Sequence, residues 1–440
     1  MALSRFAPHF RLKTRCVLGQ AEEYLRGLAQ SGRRNMERMA EVVPGTDYQR
    51  LQNFATNSPW DYQAVMRQVA EEADRLLGGE PESSLLIDES GFVKKGKDSA
   101  GVARQWCGRL GKVDNCQVGV FGVLSNGARY ALIDVRLYLP KEWIGDPARC
   151  ERAGIPAAEV VARSKSEHAL AIVAQARAQG VRFNWVGVDA GYGKEPAFLR
   201  ALNAAGEIFV ADIHKSQVIY LADPQPRVPE PKDGRGRPTQ RLQAQTTGIR
   251  VDAWLAQQPA EAWQRLTLRD STRGELRVEA LGQRVWLWDG EETAAHCWHL
   301  IVRREIGSRD TIKFTLSNAP AETSLERLAQ MQGQRYWVER SFQDAKSDCG
   351  MADYQVRKWT GWHHHMAMVM IAMLFMAEER TAQKDSVPLL SCADIIALLK
   401  HFLPQAAVTR EEIIEQMHVR HDQRAASIES AYRVQQRKHE

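Results

Sequence analysis

Between Arg335 and Lys346 the chain reads Arg335-Tyr336-Trp337-Val338-Glu339-Arg340-Ser341-Phe342-Gln343-Asp344-Ala345-Lys346, a stretch whose residue types and spacing could manage negative charge. On a helix turning about 100° per residue, Arg335, Glu339 and Lys346 fall within roughly 40° of one another, while Val338 and Ala345 lie about a quarter turn away and Phe342 about 40° away on the same side. One stripe packs, and the adjacent stripe offers a carboxylate between two cations. An ordinary surface helix carries the same pairs as i,i+4 support, so the helix needs partners before it implies chemistry. Two distant aspartates supply them. Ser84-Leu85-Leu86-Ile87 delivers Asp88, followed by Glu89-Ser90-Gly91; Phe183-Asn184-Trp185-Val186-Gly187-Val188 delivers Asp189, followed by Ala190-Gly191-Tyr192-Gly193. Each is an apolar run of strand length that ends in acid and then in glycine, which lets a ligand approach the backbone. A lone Asp of this kind closes a core strand as a turn former. Two of them plus Glu339 point to a shared ligand site.

Asp88, Asp189 and Glu339, in that order, with a short first interval and a long second one, resemble the catalytic triad of DDE-type insertion-sequence transposases with an RNase H-like core. Arg335, Glu339 and Lys346 resemble that family's signature, in which Arg, Glu four residues later and Lys seven residues after that share a helix face. The pattern usually opens with Tyr three residues before the Arg; here Gln332 stands there, and Tyr336 is the neighbouring aromatic. Ser58-Pro59-Trp60-Asp61, Trp106-Cys107-Gly108-Arg109-Leu110-Gly111-Lys112 and Tyr354-Gln355-Val356-Arg357-Lys358-Trp359-Thr360-Gly361-Trp362 extend the match. Together they look like the 701-type insertion-sequence group, related to the insertion-sequence-4 group, over nearly the full length.

Two carboxylates from strand ends and one from a helix, converging at one edge of a sheet, can hold a pair of Mg²⁺ ions about 3.5–4 Å apart, and oxygen ligands suit this hard cation. The expected cofactor is therefore Mg²⁺, two ions, with Mn²⁺ able to substitute. The resemblance implies a cut-and-paste transposase: cleavage at the ends of its own element, then attack of the freed 3′-hydroxyls on target DNA. Its partners would be double-stranded DNA (terminal inverted repeats and target) and a second copy of the chain in a homodimeric synaptic complex, in a bacterial, nucleoid-associated cytoplasmic setting. A nuclease of the same fold without strand transfer and a repurposed DNA-binding regulator are the alternatives.

The elements that must position the three acids can be read independently. Runs at 115–124 and 128–139, joined by Ser125-Asn126-Gly127, form a hairpin signal, so three antiparallel strands open the core. An Ala-rich helix over 166–179, the Asp189 strand, a helix over 195–205 and a strand at 207–212 follow. That order is an α/β, RNase H-like layout with helices covering a mixed sheet. About a hundred residues separate it from the Glu339 helix. They are rich in strand signals such as Arg284-Val285-Trp286-Leu287-Trp288 and His299-Leu300-Ile301-Val302. The expected fold is an RNase H-like catalytic core interrupted by a β-rich insertion domain, with helical N-terminal and C-terminal regions. The boundaries are 1–80 helical and DNA-binding, 81–213 first part of the core, 214–318 insertion, 319–380 second part with Glu339, and 381–440 helical.

The chain has 440 residues, room for two to four domains, and 59 basic against 54 acidic residues give it a net charge of +5. Mild basicity permits nucleic-acid binding without requiring it. Seven cysteines with no Cys-x-x-Cys pair argue against a disulfide framework and a zinc module, and for a reducing compartment. No secretory signal or lipidation motif opens the chain. The apolar run at 366–377 is about half a membrane span and reads as a buried core helix, so no membrane partner is expected.

The remaining candidates concern DNA. Arg335 and Lys346 suit phosphate, Arg through two parallel hydrogen bonds, with neutralisation of Glu339 as the plain alternative; Tyr336 and Arg340 share their helix. Lys94 and Lys95 follow the first strand, where a solvated lysine run is the ordinary explanation. Arg235 and Arg237, in Gly234-Arg235-Gly236-Arg237-Pro238, resemble the arms that insert arginine into narrow minor grooves. Trp298, with Trp286 and Trp288, lies where related transposases hold a flipped base, the alternative being a buried β-core tryptophan. His363, His364 and His365 are expected to be partly exposed or to contact phosphate. Ser58 is expected to cap the helix at 62–77, with Trp60 as its staple, and capping boxes are expected at 391–394 and 409–412.

Overall fold

The computed structural model describes residues 2–229, 240–271, 274–306, 311–407 and 409–436. Within them the apolar runs become neighbours in one mixed sheet. β1 (Ser83–Val93) carries Asp88. β2 (Ala103–Cys107) and β3 (Lys112–Asn126) follow, and β4 (Arg129–Leu137) returns beside β3 through a turn in which Gly127 takes φ 59°, the left-handed conformation an Asn-Gly hairpin needs. β2 adds to the expected strands, being too short to show a period. β5 (Trp185–Val188) and β6 (Phe209–Ile213) run parallel to β1, reached over the helices Lys165–Ala178 and Pro196–Ala204. β7 (Val218–Ile219) and β8 (Ile249–Arg250) form a small ribbon, and β9 (Gln264–Ser271), β10 (Gly274–Leu287), β11 (His296–Glu305) and β12 (Ile312–Ser317) form an antiparallel meander. The sheet order is β2-β3-β1-β5-β6-β12-β11-β10-β9, with β4 also beside β3. Helices flank it, the arrangement expected of an RNase H-like core.

Register decides what the sheet presents. Ile87 pairs with Val188 and Val188 with Ala211, so the next residues, Asp88, Asp189 and Asp212, stand at one level on three parallel strands, although β1 runs on past Asp88 to Val93 instead of ending there, because its pairing with β3 continues. The strands expected as an insertion continue this sheet: β12 pairs with β6, Asp212 facing Thr315. Trp185, Val210, Ile301, Leu328 and Met331 form one apolar cluster across β5, β6, β11 and the helix Leu325–Gln334. Leu300, Ile301 and Val302 are each 0% exposed, the mark of a strand covered on both faces.

The helix Trp359–Ala382 buries nearly every residue from Trp359 to Ala377, which places the apolar run in the core as expected. No helix among the described residues is long and apolar enough to cross a membrane. The three histidines are a correction. Three consecutive residues cannot share one helix face, but a helix packed all round buries them all, and His363, His364 and His365 are buried. His364 lies flat on Trp60, ring centres 3.8 Å apart, its nitrogens facing the carbonyls of Ala55 and Trp60. His365 Nδ1 meets the Tyr24 hydroxyl at 2.9 Å. The histidines thus fasten the N-terminal helices to the core helix. Capping there differs from expectation too: Asp61 accepts the Ala64 N–H at 3.0 Å and caps Tyr62–Leu77, while Ser58 is buried. Trp60 donates to the Phe54 carbonyl. Both C-terminal capping boxes form, Ser391 with Asp394 and Thr409 with Glu412.

Two measurements follow from this packing. Burial pushes the histidines down from 6.5 to about 3 for His363, about 4 for His364 and about 3 for His365. A folded pKa below the unfolded one means that the unfolded chain takes up protons first; the contribution is whole above about 6.5 and is lost as pH falls toward about 4 for His364 and about 3 for His363 and His365. Denaturant unfolding at pH 5 is expected to show a stability lower than at pH 7.5 by on the order of 1.4 kcal/mol per pH unit below 6.5 for each histidine; equal stabilities at the two pH values would contradict neutral, buried rings. The second concerns Gly193, where a Cβ would run into the Asp212 backbone carbonyl. Gly193→Ala is expected to lower stability by about 1–3 kcal/mol through overpacking, read as a shifted unfolding midpoint; an unchanged midpoint would show that this contact is slack.

Candidate active site

Each acid is held differently. Asp88, midway along β1, has Oδ1 accepting the Glu89 N–H at 2.7 Å. Asp189 ends its strand and caps the short helix Ala190–Gly193, its Oδ1 accepting from Gly191 N at 2.8 Å and Tyr192 N at 3.3 Å. The glycine expected to admit a ligand therefore also frees the backbone that orients the carboxylate. Burial, and then the like charge of Asp189, pushes Asp88 up to about 7. Two carboxylates confined side by side in this way gain from a cation between them.

Glu339 comes from the far side, on the helix Tyr336–Ser347. It stands at the sheet edge because Val338, Phe342 and Ala345, the apolar stripe read from the sequence, are buried beneath the helix. Arg335 sits at the joint between Leu325–Gln334 and this helix, and its guanidinium threads among the carboxylates. Nε donates to Asp212 Oδ2 at 2.9 Å, Nη2 to Glu339 Oε1 at 2.8 Å, and Nη1 stands 3.9 Å from Asp88 Oδ2. Burial works to discharge Arg335, but Asp212, Glu339, Asp88 and Asp189 outweigh it and hold the guanidinium charged. Lys346 lies about two turns beyond Glu339 on the same helix face, its ammonium 5.9 Å from the centre of the Phe92 ring and 5.8 Å from that of Phe342. Burial lowers its pKa, then Arg109 does, against the attraction of Cys107 and Asp88.

The structure thus brings Asp88, Asp189, Glu339, Arg335 and Lys346 to one region. Among the described residues no three His, Cys, Asp or Glu side chains stand at the spacing of a ready-made metal cluster; the carboxylates are spaced around Arg335. Their chemistry nevertheless fits a hard divalent cation, since Asp88 and Asp189 share one level on adjacent strands and repel each other.

Other expected DNA contacts are placed variously. Tyr336 is exposed, and the Arg269 guanidinium lies 4.3 Å over its ring and 4.7 Å over that of Trp337. Arg340 is ion-paired with the buried Asp344 at 2.9 Å, and Asp344 also accepts the Tyr130 hydroxyl at 2.6 Å. Lys95 is exposed. Lys94 turns inward: its ammonium donates to the Tyr354 carbonyl at 3.0 Å and sits 3.3 Å over the Tyr354 ring, and burial pushes it down to about 7. Trp298 is 7% exposed, edge-on to Phe209 at 4.9 Å and stacked on His296 at 5.2 Å, which turns the ring away from solvent. Arg235 and Arg237 lie outside the described residues.

Asp212 lies outside the triad read from the sequence, although its apolar run, Phe209-Val210-Ala211, leads into acid as the other two do. Gln332 also joins the site, where the family pattern has an aromatic. Its Nε2 donates to Thr315 Oγ1, and its Oε1 accepts from Arg303 Nε at 2.8 Å.

Comparison with known proteins bears on the family. The chain is 26% identical over 330 residues, 74% of its length and 73% of the other's, to a protein of Microchaete diplosiphon described as a probable transposase for insertion sequence element IS701. The family model described as DDE superfamily endonuclease matches residues 5–275, a span that holds Asp88, Asp189 and Asp212 and stops short of Glu339. That span is more than half of the chain, which therefore belongs to the DDE superfamily endonucleases.

Proposed function

We infer that the chain is a DNA transposase that cuts at the ends of its own insertion sequence and joins the freed 3′ ends to target DNA. The observation that carries the reading is the shared level of Asp88 and Asp189 on adjacent parallel strands, with Glu339 linked to Asp88 through the Arg335 guanidinium. Asp88, Asp189 and Glu339 would hold two Mg²⁺ ions, or Mn²⁺ in their place, through carboxylate oxygens. When bound, such ions activate an attacking water or 3′-hydroxyl and stabilise the leaving oxygen. The rest is positioning by the chain itself. Arg335 and Lys346 meet the phosphate at the cut, Arg335 with its planar fork; Tyr336, Arg340 and Lys95 contact the adjoining duplex. Holding two ends together calls for a homodimer on paired DNA ends.

Purified protein, a duplex carrying the inverted repeat that flanks its gene, and Mg²⁺ make the test. Asp88→Asn, Asp189→Asn and Glu339→Gln are each expected to slow single-turnover nicking by about 10³-fold or more, with the affinity for the same duplex in Ca²⁺ little changed. Nicking at the wild-type rate by the triple variant would end the proposal, and nicking without joined products would leave a nuclease. Lys346→Ala is expected to weaken binding alike across sequences and to reduce the slope of log Kd against log salt by about 1; an unchanged slope would place Lys346 away from the phosphates.

A further inference from the structure

Three aspartates, not two, stand at one level on the parallel strands, and the third is held quite differently. Asp212 Oδ1 accepts the Thr315 hydroxyl at 2.6 Å, and its Oδ2 accepts Arg335 Nε at 2.9 Å. Behind it runs a buried relay: Arg303 donates to Gln332, Gln332 to Thr315, and Thr315 to Asp212. Thr315 is 0%, Gln332 2% and Arg303 8% exposed. Buried polar chains are costly unless every member is satisfied, and satisfied ones fix a single geometry. This one ends on the Nε of the guanidinium whose other nitrogens face Glu339 and Asp88.

We propose that Asp212 is a positioning residue: through Arg335 it sets the orientation of the guanidinium and, with it, of Glu339. It touches neither DNA nor metal. Both of its oxygens already have partners within the chain, whereas Asp88 Oδ2 has only the 3.9 Å approach of Arg335. The row explains the need, because a guanidinium free to rotate among several carboxylates has no preferred pose, and a second anchor at Nε removes that freedom. Gln332 takes part because a side chain with both a donor and an acceptor is needed to link Arg303 to Thr315.

The assignment rests on the transposase reading, and one set of measurements separates the two. Single-turnover nicking of the inverted-repeat duplex is measured for the wild type, Asp212→Asn, Arg335→Ala and the double variant, over a range of Mg²⁺ concentrations, with binding to the same duplex in Ca²⁺. Asp212→Asn is expected to slow nicking at saturating DNA by about 10–100-fold, with binding equal or tighter because a negative charge is gone, and with no recovery at high Mg²⁺. In the Arg335→Ala background the same change is expected to add nothing, since residues acting as a unit are not additive. Thr315→Val, which removes the hydroxyl on Oδ1, keeps the test open should Asp212→Asn fail to fold; its expected loss is about 3–10-fold, likewise absent without Arg335. Losses that add in the double variants, or a loss restored by Mg²⁺, overturn the assignment while leaving the transposase reading in place. A wild-type chain that cuts no end-bearing duplex overturns both.

Discussion

Like charges gathered at the end of a sheet must be neutralised by something the sheet does not contain. In this protein that constraint organises the catalytic half of the fold. Three parallel strands carry aspartate at one level, and the backbone gives them little beyond an N–H at Asp88 and a helix start at Asp189. The answering charge comes from a helix joint more than a hundred residues later in the chain, where Arg335 reaches Asp212, Glu339 and Asp88 at once. The meander β9 to β12 and the paired helices after it bring that joint to the right edge. Catalytic geometry and sheet topology are therefore one problem in this chain.

How much of this was legible beforehand varied with the range of the interaction. Local signals were reliable: the Asn126-Gly127 hairpin, the strands that carry Asp88 and lead into Asp189, the packing stripe of the Glu339 helix and both C-terminal capping boxes all depend on residues a few positions apart. The division of labour within the charged stripe was not legible. Arg335, Glu339 and Lys346 lie on one helical face, but only the folded chain, in which Arg335 Nε donates to Asp212, shows that Arg335 also serves a third aspartate. Asp212 had the same local form as the other two acids. A motif of three spaced acids has no place for a fourth, so only tertiary pairing distinguishes Asp212.

Burial was the other blind spot. His363, His364 and His365 look like a solvent-facing polar group, and Trp298 looks like a free stacking surface; both readings assume one open side. A helix enclosed on every side and a strand deep in a continued sheet have none. Lys94 shows the same effect in reverse, a lysine drawn inward by the carbonyl and ring of a single tyrosine.

The pairing of β12 with β6 has a consequence for how this protein can vary. Were the meander an appended module, it could be trimmed or exchanged with its neighbours undisturbed. Because it supplies hydrogen bonds along the flank of the Asp212 strand, excising it would bare a row of unpaired peptide groups beside the reaction centre, an edge prone to self-association. Diversification of this region is thus confined to its loops and outermost hairpin, while the strand nearest the acids is locked in place by the backbone itself.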